Sequence, residues 1–112
     1  MKDGKVCILC PACIKFIDYM IERYSEIKEY RVIYDGGDFD YVPEPDPEDY
    51  EHLKTICPEC GAEFENYTTR EFLIYYDDER IEPLGYYWLD DEEEFKRVAK
   101  KLNLKPIIIP EG

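Results

Sequence analysis

A chain of 112 residues has room for one domain, and its 27 acidic against 14 basic side chains leave a net charge of −13. That balance argues against nucleic acid and anionic membrane surfaces, which draw their affinity from Lys and Arg. It suits a basic protein partner, a metal ion or plain solubility.

The first residues, Met1 to Lys5, lead into only a short apolar run, less than a signal-peptide core, and no stretch approaches a membrane span. A cytoplasmic protein is expected, with thiols kept reduced and available for metal. Glutamine is absent and Ser25 is the one serine, while Glu, Lys and Ile abound. Proteins that work at high temperature share this composition. At this length only about two thirds of the unfolded surface is buried on folding, so a metal staple would supplement a modest core.

Residues 5–9 (Lys-Val-Cys-Ile-Leu) read as a strand running into the turn Cys10-Pro11-Ala12-Cys13. Residues 14–27 carry two signals. Ile14, Ile17, Met20, Ile21, Tyr24 and Ile27 recur at helical spacing, with Lys15, Asp18, Glu22, Ser25 and Glu26 opposite. The same stretch is rich in Ile, Tyr and Phe, which suit strands. We read it as strand, the first arm of a long hairpin. Residues 30–34 and 38–42 form a tighter hairpin around Gly36-Gly37, which supplies positive φ. Alternation of Phe39 and Tyr41 with Asp38 and Asp40 predicts one buried and one wet face there.

Pro43-Glu44-Pro45-Asp46-Pro47-Glu48-Asp49 reads as a surface loop, since three prolines cannot donate ladder bonds and the acids between them repel. The eight acids between Asp35 and Glu51 lack an EF-hand pattern and read as solvated. Residues 53–56 form a strand into a second turn, Cys57-Pro58-Glu59-Cys60-Gly61, and residues 62–65 lead out of it. Strands are expected at 71–76 and 86–89, then a helix over 91–103 capped by Asp90. Its acids at 91–94 and its Lys96, Arg97, Lys100 and Lys101 complement the helix dipole. Phe95, Val98, Ala99 and Leu102 make its apolar face. Residues 105–110 close the chain as an edge strand between prolines.

The two Cys-Pro-x-Cys turns carry the chemistry. Each sets two thiolates on one tight turn, and two facing turns make a tetrahedral four-sulfur cage of the kind zinc prefers. The candidate ligands are Cys10, Cys13, Cys57 and Cys60. A redox protein needs only one such pair. The second turn, followed by Gly61, is the stronger knuckle; the first has Ile14 where glycine or a polar residue is usual. Cys7 has the same spacing to Cys10 as Cys13 has, but beside Val6 and Ile8 it reads as a small core residue. His52, the one histidine, is surplus to a complete cage.

On Cys10, Cys13, Cys57, Cys60 and Gly61 the chain resembles the zinc-ribbon and rubredoxin-like zinc-knuckle proteins, in particular small zinc ribbons with a long insertion between the Cys pairs. The resemblance covers residues 5–66. It implies one structural zinc per chain, or iron in the same cage as in rubredoxins. The expected architecture is α+β in a single domain, 1–112. A small β-rich zinc ribbon with a long hairpin would occupy 5–66, and C-terminal strands with helix 91–103 would occupy 67–112.

The expected function is that of a non-enzymatic zinc-binding module that contacts another protein, a basic one being favoured by charge. A thioredoxin-like thiol–disulfide oxidoreductase is the competing reading. Strand 5–9, Cys10-Pro11-Ala12-Cys13 and a helix from Ile14 would be its local order, with Val42-Pro43 the place to seek its cis-proline. A transcription-type ribbon is a third reading, disfavoured by charge. Tyr75, Tyr76, Tyr86, Tyr87 and Trp88 offer a stacking platform for bases, although core packing is the default for such residues.

Overall fold

The computed structural model describes residues 4–25, 28–44 and 51–108. Among these described residues, ten strands form two five-stranded sheets, accompanied by two helices and one 3-10 turn. The mixed α+β composition expected from the sequence is therefore present. The first sheet has the order β10-β9-β8-β1-β2, built from β1 (Lys5–Cys10), β2 (Lys15–Ile17), β8 (Leu73–Tyr76), β9 (Arg80–Pro83) and β10 (Lys105–Pro106). Its neighbours are antiparallel except β9 and β10. The second has the order β5-β4-β3-β6-β7, from β3 (Tyr19–Ser25), β4 (Lys28–Asp35), β5 (Asp38–Val42), β6 (Lys54–Ile56) and β7 (Glu63–Phe64), all antiparallel.

The expected hairpins form. Gly36 and Gly37, at φ +61° and +97°, close a two-residue loop between the paired residues Asp35 and Asp38. Positive φ at both loop positions matches the twist of the flanking strands. The stretch 15–25 is strand, split at Asp18 between the two sheets. The first arm of the long hairpin is thus β3 alone, paired with β4 from Tyr19–Ile33 onward. The wet and buried faces expected of β5 are less distinct, because β5 is an edge strand: Phe39 is half-buried and Tyr41 exposed. Only Pro43 and Glu44 of the acidic proline loop fall within the described residues, as do only residues 105–108 of the closing segment.

Residues 86–89 are helical where a strand was expected. Helix α1 (Tyr86–Asp90) starts after extended Gly85 and drives Trp88 into the core, its indole N–H donating to the Phe72 carbonyl at 3.2 Å. The 3-10 turn Thr69–Phe72 likewise replaces the front of the strand expected at 71–76. Helix α2 (Glu92–Lys101) is capped by Asp91, not Asp90, through a side-chain bond from the Glu94 N–H at 3.1 Å. Asp90 instead ends α1. At the far end Asn103 adopts φ +61°, with Leu104 N–H bonding Ala99 O and Asn103 N–H bonding Lys100 O. These two bonds are a Schellman cap.

Alternation along β1 covers the first sheet on both faces. Leu9 joins Ile74, Ile81, Trp88, Phe95, Val98 and Ala99 beneath the helices. Ile8 and Cys10 point the other way, into a cluster with Ile17, Met20, Cys57 and Phe72. That second cluster surrounds the cysteines.

Candidate metal centre

Each Cys pair sits on the turn of a short β-hairpin, one hairpin in each sheet. Cys10 ends β1, and the Ile14 N–H returns to the Cys10 carbonyl at 2.9 Å. Cys57 follows β6, and the Gly61 N–H returns to the Cys57 carbonyl at the same 2.9 Å. The residue after each pair is left-handed, Gly61 at φ +76° and Ile14 at φ +54°. The two turns therefore have one backbone form, although Ile14 breaks the sequence pattern. A β-branched residue is strained in this region. Ile14 packs against the helix-side core, which offsets part of that cost.

The turns bring four sulfurs together. Cys10 Sγ lies 3.7 Å from Cys60 Sγ, and Cys13 Sγ lies 3.9 Å from Cys57 Sγ. All four sulfurs fall within 4.8 Å of one another. Around a metal with bonds of roughly 2.3 Å, a regular tetrahedron has edges of about 3.8 Å. A disulfide needs about 2.05 Å, and all the cysteines are free thiols. The spacing and the donor set both fit a tetrahedral metal ion, and zinc and iron each accept four sulfurs.

Cys10 and Cys57 are fully buried, Cys13 half-buried and Cys60 exposed, so the cage opens to solvent on one side. Without metal the thiols differ accordingly. Burial pushes the Cys10 and Cys13 thiols up. For Cys60 burial also acts upward, but the Ala62 N–H and the Cys57, Cys10 and Cys13 thiols outweigh it and hold the pKa below the ordinary value. Phe64, Phe72, Tyr67 and Tyr87 pack around this cluster with ring centroids 4.8–6.1 Å apart. Burial, then Glu94 and Asp91, push the Tyr87 phenol up to about 12.

Among the described residues the quartet holds neither Cys7 nor His52. Cys7 is half-buried on β1, opposite Ile74, and touches the Tyr76 phenol, which burial and then Cys7 hold above its ordinary pKa. His52 Nε2 lies 2.8 Å from Thr55 Oγ1, whose own hydroxyl proton goes to the Tyr67 carbonyl at 2.6 Å. The Thr55 oxygen is therefore an acceptor for His52, which fixes the Nε2–H tautomer. The five aromatic residues of the candidate base platform are dispersed. Phe16 stacks on Tyr76, Trp88 is buried against Phe95, and Tyr86 alone of the five is strongly exposed.

Sequence reasoning missed Glu22. It is 1% exposed in the middle of the second sheet, opposite Tyr30 and Thr55 on its two flanking strands. Its Oε2 accepts from the Thr69 N–H (3.0 Å) and hydroxyl (2.6 Å), and its Oε1 from the Tyr24 hydroxyl (2.8 Å). The available signal was period two: Met20, Glu22 and Tyr24 share a strand face. No family model matches the chain, and no curated protein or solved structure matches it. Among the described residues, no helix is long and apolar enough to cross a membrane.

Proposed function

We propose that Cys10, Cys13, Cys57 and Cys60 bind one zinc ion whose role is structural. On this reading the protein is a zinc-ribbon-type, non-enzymatic cytoplasmic module that acts by contacting a basic partner protein. The observation that carries it is the sulfur quartet within 4.8 Å, two of its edges at 3.7 and 3.9 Å, supplied by one hairpin from each sheet. A metal there would cross-link β1–β2 to β6–β7 and tie the two sheets together. Four cysteine ligands leave no open coordination position, the usual distinction between structural and catalytic zinc. The net charge of −13 favours a basic partner and steers it at long range.

The oxidoreductase reading needs an accessible, low-pKa nucleophile ahead of a helix. Cys10 is fully buried with its thiol pushed up, and strand β2 follows the turn. The cis bond at Val42–Pro43 lies at the end of β5, in the other sheet from β1. The test is metal analysis and thiol titration of protein purified without chelator. One zinc per chain, with the four cage thiols unreactive until a chelator is added, is expected. Stoichiometric iron would replace zinc in the account. Metal-free protein that reduces a test disulfide would overturn it, and salt-dependent binding of DNA or RNA would favour a transcription-type ribbon.

A further inference from the structure

Away from the cage, Glu22 lines a second feature. With Phe39, Tyr41, Thr68 and Arg70 it encloses a cavity of about 230 Å³. That is room for roughly eight waters at ~30 Å³ each, smaller than the sites that hold drug-sized ligands.

The wall carries two opposite charges. Glu22 makes three hydrogen bonds, all from neutral donors, and no ion pair among the described residues. A carboxylate has about four acceptor sites, so one remains on Oε1. Arg70 lies over the Phe39 ring, 5.6 Å from its centroid, and is likewise without an ion pair among the described residues. Arg31 is in the same state, 5.1 Å over the Tyr19 ring, but lines no cavity with a buried carboxylate. Arg23, Arg80 and Arg97 each pair with a nearby carboxylate. In a protein with nearly twice as many acids as bases, an arginine is easily neutralised. The hydrogen bonds from Thr69 and Tyr24 explain how Glu22 ties β3 to the 3-10 turn. They leave a guanidinium and a carboxylate on the wall of one cavity with no ion pair among the described residues.

We propose that this cavity binds a small zwitterion of the α-amino-acid type, its ammonium at the free acceptor site of Glu22 and its carboxylate on Arg70. Arg suits the second role because its planar fork meets a carboxylate with two parallel bonds. The Tyr41 phenol and the Thr68 hydroxyl add neutral polar groups, and the Phe39 ring holds Arg70 in place.

The test is an amide-resolved NMR titration of the metal-loaded full chain. The probes are glycine, L-alanine, L-serine and L-leucine, with N-acetyl-L-alanine as the anion-only probe and L-alanine methylamide as the cation-only probe. Saturable shifts at Phe39, Tyr41, Thr68 and Arg70 are expected, with at least one zwitterion binding about tenfold or more tighter than either single-charge probe. Arg70→Met, at an exposed position, should remove that preference and leave methylamide binding unchanged. Glu22→Gln should weaken both the zwitterion and the methylamide. The proposal is overturned if no zwitterion gives saturable shifts, if single-charge probes bind equally well, or if Arg70→Met binds zwitterions like the parent. The Arg70 variant keeps the test decisive should Glu22→Gln not fold.

Discussion

Replacing Glu22 separates a hydrogen-bonding role from simple space filling. Glu22→Gln keeps an oxygen for both Thr69 donors and turns its amide toward the Tyr24 oxygen, which can accept. Only the charge-assisted part of the bonds is lost, about 1 kcal/mol. Glu22→Met fills similar space but accepts nothing. Thr69 is fully buried, so its N–H and its hydroxyl are both orphaned, at about 1–3 kcal/mol each. Tyr24 is half-buried and can turn to water. The expected cost of Glu22→Met is therefore about 3 kcal/mol or more, a fall in Tm of roughly 12 °C against roughly 4 °C for Gln. Urea unfolding, followed by the fluorescence of buried Trp88, reads this as a shift of midpoint at unchanged slope. In the Met background, Thr69→Val should cost much less than in the parent, because one orphaned donor is removed with it. Equal costs for Gln and Met, or additive behaviour with Thr69→Val, would refute the reasoning.

Three further outcomes follow from the same geometry. Gly61→Ala places its Cβ in open space at φ +76°, so the cost is purely backbone: about 1–2 kcal/mol of left-handed strain less about 0.4–1 kcal/mol gained through the unfolded chain. A net loss of about 1 kcal/mol should appear in urea unfolding; a gain would contradict the turn geometry. Burial holds the His52 pKa below its ordinary value of about 6.5, with Glu22 opposing. The unfolded chain therefore takes up the proton first, and stability present above about pH 6.5 is lost as pH falls below it. His52→Gln removes the titrating ring, so the variant should lose less stability than the parent between about pH 7.5 and pH 5.5 in urea unfolding. Equal losses would contradict that assignment. Finally, Cys7→Ser should keep the full metal content while Cys13→Ser loses or weakens it, measured by metal analysis after dialysis; the reverse pattern would move the ligand set to Cys7.

What was legible in the sequence was chemistry confined to a few neighbouring residues. The Cys turns, the Gly36-Gly37 hairpin and the α2 dipole pattern all depend on local rules, and each formed. The α2 cap moved by one residue because Asp90 and Asp91 are chemically identical and only the path of α1 chooses between them. Residues 86–89 have strand-type side chains, but Trp88 reaches the core between Phe72 and Phe95 only from a helical turn. Helical spacing at 14–27 has a different origin. The chain changes sheets at Asp18, which shifts the phase of the alternation, so Ile17 and Met20 are both buried three residues apart. A period of two interrupted once resembles a period near 3.6. Glu22 was hidden for the same reason: helical phase put it on the wet face, strand phase puts it inside. Pairing of β1 with β8, which brings together segments more than sixty residues apart, rests on long-range register that no local pattern encodes.

The four-sulfur cage is tested most directly by X-ray absorption at the metal edge of protein purified without chelator. The account predicts a zinc edge and a single shell of four sulfur scatterers at about 2.3 Å. A shell containing nitrogen or oxygen, fewer than four sulfurs, or protein that carries no metal while folded would contradict it.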